Sequence, residues 1–127
     1  MTYLEHTNIT VENPDQTAQK LISLFDWDIR WSGAAMDKGY TVHVGSKKDY
    51  LALYTNDKLA EKCGKTNHAG HLNHIGVVVD DLQKALTRAR GLGLEPFSFG
   101  DYEPGKRFYL MLEEYLELEI ISYEGQG

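Results

Sequence analysis

Residues 3–11, YLEHTNITV, alternate with a period of two. Thr7, Ile9 and Val11 fall on one side, and His6, Asn8 and Thr10 on the other, the spacing of a strand with one apolar and one polar face. The next segment changes period. In ENPDQTAQKLISLF, Ala18, Leu21, Ile22 and Phe25 recur at helical spacing, Asn13 is placed to cap and Pro14 suits the first helical position, so a helix is expected over Pro14–Phe25. DWDIRWSG, YTVHVGSK and YLALYTN then read as three short strands separated by Gly, Asp and Lys turns.

The order then repeats. A strand over Leu72–Val79 precedes an Asp80 or Asp81 cap, a helix over about Leu82–Leu92, a GLG stop, LEPFSFG, and the strands KRFYLML and YLELEIISY. Sliding the second half over the first by 68 positions lays His74 on His6, Val79 on Val11 and Leu92 on Leu24. The pattern predicts an α+β fold of two β-α-β-β-β modules forming one curved mixed sheet, a cup, with the helices on its outer face. Module one spans residues 1–56, a polar connector 57–70 and module two 71–124, together one domain of 127 residues. A short helical turn is expected in the connector at Leu59–Cys63.

Parity along the strands selects the candidate chemistry. His6 points away from Thr7, Ile9 and Val11, the set that would pack under the helix. His74, Gly76 and Val78 likewise point away from Ile75, Val77 and Val79. In the last strand, Leu116, Leu118 and Ile120 form the helix-facing set, which sends Glu117 and Glu119 to the face of the histidines. Two imidazoles and a carboxylate on rigid strands, with positions left open, are a ligand set for Fe(II), Mn(II), Ni(II) or Zn(II). Asn8, Thr10, Tyr50 and Tyr54 line the same face by parity, with His43 and Tyr109 as further candidates. Arg107 reads as a surface residue on an edge strand. His68 and His71 read as linker residues, because residues three apart on a strand face opposite ways, and nothing near Cys63 marks an activated thiol.

This arrangement resembles the vicinal oxygen chelate superfamily, which includes glyoxalase I, extradiol dioxygenases, bleomycin-resistance proteins and fosfomycin-resistance thiol transferases. The resemblance rests on HTNITV and HIGVVVDD opening the two halves and LEIISY closing the second, and it spans the chain. It implies metal ligands at His6, His74 and Glu119, with Glu119 preferred over Glu117. The repeat loses one residue before its last strand, which reduces the shift from 68 to 67, so the corresponding position of module one is Ala52; a four-ligand glyoxalase pattern is incomplete and a His-His-Glu pattern is intact. The turn that is commonly Asp-Pro-Asp-Gly in relatives is Leu112, Glu113, Glu114 and Tyr115 here.

The resemblance implies a metal-dependent enzyme that binds neighbouring oxygens of a small substrate to the metal, either a lyase or isomerase of lactoylglutathione lyase type or an extradiol-type dioxygenase. The alternative is a metal-free protein that sequesters a bleomycin-like antibiotic between aromatics such as Trp27, Trp31, Tyr40, Tyr50 and Tyr54. Either would be a homodimer by analogy. Composition narrows the rest. With 13 Lys and Arg against 19 Asp and Glu, a net charge of -6 and no basic stripe, nucleic acid is not an expected partner. No apolar run approaches the roughly 18 residues needed to span a bilayer, the first residues lack a secretory pattern, and one cysteine leaves no internal disulfide. A cytoplasmic location is the corresponding expectation.

Overall fold

The computed structural model describes residues 3–57, 72–102 and 105–123. The chain forms two compact units, Met1–Lys62 and Cys63–Gly127. The expected turn at 59–63 and the positions of Cys63, His68 and His71 lie outside the described residues.

The first unit runs β1 (His6–Thr10), α1 (Pro14–Phe25), β2 (Asp28–Ala35), a short 3-10 turn (Met36–Lys38), β3 (Gly39–Gly45) and β4 (Tyr50–Thr55). Its sheet has the order β1-β4-β3-β2, with β1 parallel to β4 and the other pairs antiparallel. Helix α1 has the predicted bounds. The Asn13 side chain accepts a hydrogen bond from the Gln16 amide at 3.1 Å, satisfying one of the donors that the first turn leaves open. Asp26 closes the helix in the left-handed region, its amide bonded to the Ile22 carbonyl.

The buried stripe of α1 is Pro14, Thr17, Ala18, Leu21 and Leu24, so Leu24 joins Ala18 and Leu21 in the core while Ile22 and Phe25 are half-buried. This stripe packs on β3 and β4, whose facing side chains Val42, Val44, Leu51 and Leu53 are buried. Because α1 carries the chain from β1 at one edge of the sheet to β2 at the other, it crosses the two middle strands. Thr7 therefore remains exposed, although the alternation of β1 assigned it to the helix side.

The second unit repeats the plan with β5 (Ile75–Val78), α2 (Leu82–Gly91), β6 (Phe97–Tyr102), β7 (Gly105–Glu113) and β8 (Leu116–Ser122), in the order β5-β8-β7-β6. Asp81, not Asp80, caps α2, accepting from the Lys84 amide at 3.1 Å. Ala85 and Ala89 of α2 are buried, as are Phe108, Leu110, Leu112, Leu116, Leu118 and Ile120 of the hairpin beneath. The hairpin turns on Glu114 and Tyr115, with Tyr115 at a φ of 68°, a region that costs a non-glycine residue about 1–2 kcal/mol. The pairing slips by one residue between Met111 and Glu113. This bulge absorbs the unusual turn sequence and keeps Glu119 opposite Tyr109.

Strand pairing also fixes the equivalence of the halves. Ala52 is the partner of Asn8 in the first sheet, and Glu119 the partner of Gly76 in the second. Asn8 and Gly76 each lie two residues beyond the module's histidine, so Ala52 occupies the register position of Glu119. No helix among the described residues is long and apolar enough to cross a membrane.

Candidate functional site

In the second unit, the face of the sheet away from α2 gathers His74, Arg107, Tyr109 and Glu119. Tyr109 and Glu119 are direct cross-strand partners, and Arg107 lies one same-face position along β7 from Tyr109. Glu119 is 14% exposed and each of its oxygens has a different neighbour. Oε2 accepts from an Arg107 terminal nitrogen at 2.8 Å and from the Tyr109 hydroxyl at 2.9 Å. Oε1 faces His74 Nε2 at 3.4 Å.

Burial by itself would raise the Glu119 pKa. The hydrogen bonds from Arg107 and Tyr109, with the charges of Arg107 and His74, more than offset it and hold the carboxyl below the usual range. Arg107 is 10% exposed and also donates to the Gly105 carbonyl at 3.3 Å. The surface role read from the sequence is therefore corrected, because β7 lies between β6 and β8 and is not an edge strand. The ring of Tyr109 meets His74 edge-on at 5.7 Å and stacks with Phe97 at 6.2 Å.

In the first unit the corresponding face carries rings where the second carries charge. The His6 and His43 rings both stack on Tyr50, with centroids at 4.9 and 4.7 Å, and Trp31 meets His43 at 5.3 Å. The rings thus reach from β1 through β4 and β3 to β2. The Arg30 guanidinium lies 4.3 Å from the Tyr50 centroid, brought there by the irregularity between Ile29 and Trp31. Glu5 Oε1 lies 2.8 Å from His6 Nδ1 and accepts from the Tyr50 hydroxyl at 3.2 Å. The His6 hydrogen bond holds the Glu5 pKa below the usual range. Burial, then the charges of His6 and Arg30, pushes His43 below the ordinary imidazole value.

The other sequence candidates fall as follows. Asn8 is exposed on β1 beside Ala52, and Thr10 is exposed beside Tyr54. The Tyr54 hydroxyl donates to the Met36 carbonyl at 2.8 Å and accepts from the Asn56 amide at 3.0 Å, anchoring the 3-10 turn. Glu117 shares the face of Glu119 and pairs with Met111. The structure thus brings together His74, Glu119 and Tyr109, and separately His6 and Tyr50. Sequence reasoning missed the Arg107–Glu119 pair and the ring ladder. Arg107 shares strand parity with Tyr109, but finding its partner requires the register of the hairpin, which the bulge hides.

Two protein donors each about 2.0–2.2 Å from one divalent ion stand roughly 3.0–3.5 Å apart at the angles of octahedral or tetrahedral coordination. The His74–Glu119 separation of 3.4 Å fits that requirement. Arg107 and Tyr109 are outer partners of the kind that orient a ligating carboxylate. Within neither unit do three or more His, Cys, Asp or Glu among the described residues form a group able to hold a metal ion.

No family model matches the sequence, and no curated protein does. Solved structures do match. A glyoxylase/bleomycin resistance protein/dioxygenase domain from Frankia sp. EAN1pec has a TM-score of 0.79 at 15% identity, over 98% of this chain and 99% of that one. The fosfomycin resistance protein FosX from Mesorhizobium loti gives 0.70 at 19% identity, over 95% and 91%. A variant of FosX from Listeria monocytogenes, complexed with Mn(II) and 1S,2S-dihydroxypropylphosphonic acid, gives 0.73 at 14% identity, over 95% and 92%. At these identities the likeness is one of fold.

Proposed function

We propose that this chain, which has the glyoxalase-like fold of the vicinal oxygen chelate superfamily, is a divalent-metal-dependent enzyme acting on a small oxygen-rich substrate. The observation that supports it is His74 Nε2 at 3.4 Å from Glu119 Oε1, with Oε2 of the same carboxylate held by Arg107 and Tyr109. His6 enters the proposed ligand set as the counterpart of His74, 68 positions earlier. Fe, Mn, Ni and Zn all accept such donors, and the Mn(II) in a FosX of the same fold makes Mn(II) the first probe. Bound there, a divalent ion supplies Lewis acidity toward two neighbouring substrate oxygens.

The remaining steps belong to the chain's own side chains. Arg107 keeps Glu119 ionised, and with Tyr109 it turns Oε1 toward His74. Ala52, apolar and buried where Glu119 has its counterpart, contributes no donor and leaves a position for a substrate oxygen. Asn8 and the hydroxyls of Tyr50, Tyr54 and Tyr109 are the proposed substrate contacts. The three-donor set is that of an extradiol-type dioxygenase, or of a lyase or isomerase that works without the fourth ligand. The enzyme is proposed to act as a homodimer.

Elemental analysis of protein purified without chelator, followed by Mn(II) titration calorimetry, tests this. His74→Ala and Glu119→Gln should each weaken binding at least about tenfold. A wild-type protein that takes up none of the four metals, or variants with unchanged affinity, would sink the reading.

The ring ladder favours a second reading. Rings that span four strands, ending at a Trp31 that is 52% exposed, suit stacking of a planar group, and the Arg107–Glu119 pair neutralises the carboxylate without a metal. On this reading the protein sequesters a bleomycin-like antibiotic. Tryptophan fluorescence titration with bleomycin in EDTA should then saturate, equally in wild type and Glu119→Gln, and lose affinity in Trp31→Ala.

A further inference from the structure

The residue immediately before each module's histidine makes the same contact. Glu5 Oε1 lies 2.8 Å from His6 Nδ1, and Asn73 Oδ1 lies 2.8 Å from His74 Nδ1. Glu5 and Asn73 are themselves 68 positions apart, the shift that relates the two histidines. Adjacent residues inside a strand point to opposite faces and cannot meet in this way. Here Glu5 precedes β1 and Asn73 precedes β5, so neither contact lies inside a strand.

Both contacts end on oxygen. A carboxylate only accepts, and an amide oxygen only accepts, so each Nδ1 must carry the proton. A neutral imidazole has one N–H, which leaves Nε2 with its lone pair. In the second unit, when His74 is neutral, that lone pair faces Glu119 Oε1 at 3.4 Å, while Oε2 already receives Arg107 and Tyr109. Two acceptors facing one another across that gap form a place for a cation.

We infer that Glu5 and Asn73 are positioning residues that fix both histidines as the Nδ1–H tautomer and so present Nε2 as the donor atom in each module. Free imidazole prefers its proton on Nε2, so without these neighbours the donor atom would be blocked for part of the time. The use of the tautomer rests on the metal-binding reading above; the tautomer itself does not.

The test is therefore made first without metal. Two-bond nitrogen–proton correlation spectra of 15N-histidine-labelled protein in EDTA, at a pH where the imidazoles are neutral, assign each tautomer. His6 and His74 should both carry the proton on Nδ1. Glu5→Ala should move His6 alone toward Nε2–H, and Asn73→Ala should move His74 alone, whereas Asn73→Asp should keep it. Glu5 is exposed and lies outside every helix and strand, and circular dichroism checks that each variant retains its fold. Mn(II) affinity, measured separately, should fall about tenfold in each alanine variant and recover in Asn73→Asp. Nε2–H tautomers in the wild type, or tautomers unmoved by the alanine substitutions, would overturn the inference. Nδ1–H tautomers in a wild type that binds no Mn(II), Fe(II), Ni(II) or Zn(II) would uphold it and overturn the metal-binding reading instead.

Discussion

Replacing Arg107 by methionine keeps most of the aliphatic length and removes the guanidinium. Glu119 would then keep Tyr109 and His74 as neighbours but lose its arginine partner at 2.8 Å. Breaking a fully buried ion pair from one side costs about 3–5 kcal/mol. The two side chains are 10% and 14% exposed and the Tyr109 hydrogen bond remains, so the cost falls at or just below the lower end of that range, about 2–3 kcal/mol. For a chain of this length that lowers the melting temperature by roughly 10 °C.

The cost should also depend on pH in a definite direction. The folded carboxyl of wild type titrates below its ordinary value, so it contributes stability that is present above the unfolded carboxylate range near 4.3 and is lost as pH falls through the folded pKa. In Arg107→Met, burial is left with less to oppose it and the carboxyl is raised. The difference between wild type and variant should therefore be largest at neutral pH and shrink on acidification to about pH 4. Urea unfolding followed by far-ultraviolet circular dichroism in EDTA reads it. The double variant Arg107→Met with Glu119→Leu should recover most of the loss, since an apolar pair of similar volume replaces a buried ion pair at little net cost. A single-variant cost under about 1 kcal/mol at pH 7, or a cost that does not change with pH, would refute the argument that the pair is buried and coupled.

The two helix caps give a matched pair of predictions: Asn13→Ala and Asp81→Ala should each cost about 1 kcal/mol, read as a shift in urea midpoint without a change in slope. His43 should make the protein less stable in acid. Its folded pKa is lowered by burial and by the charges of His6 and Arg30, so the unfolded chain takes up the proton first and stability declines as pH falls from the ordinary imidazole range toward the folded value. His43→Phe, which keeps a ring against Tyr50 and Trp31, should flatten that part of the curve of urea midpoint against pH. Ala52→Glu places a carboxylate at a buried position paired across the strands with His43 and should destabilise the metal-free protein by about 1–3 kcal/mol, measured by thermal melting in EDTA.

Much of this molecule is legible in one dimension. A period of 3.6 opened by Asn13 and Pro14 delimits α1, because the cap answers the hydrogen-bonding need of the first turn, whereas the closing role of Asp26 shows only in the structure. The period of two separates Leu116, Leu118 and Ile120 from Glu117 and Glu119, because a pleat alternates whatever packs on it. The repeat, once its loss of one residue is counted, identifies Ala52 as the counterpart of Glu119, and the pairing of Asn8 with Ala52 and of Gly76 with Glu119 gives the same answer. What parity cannot supply is the neighbour across the strand. That Arg107 meets Glu119, that Tyr50 lies between His6 and His43, and that Arg30 reaches the same ring all depend on register, set by a bulge at Met111–Glu113 and an irregularity at Ile29–Trp31. Thr7 shows the same limit from the other side: its alternation is that of a packed residue, but α1 packs on β3 and β4 and Thr7 stays exposed. Periodicity is a property of the local backbone and is written into the sequence, whereas register and coverage belong to pairs of elements and are decided only when the sheet and helix meet.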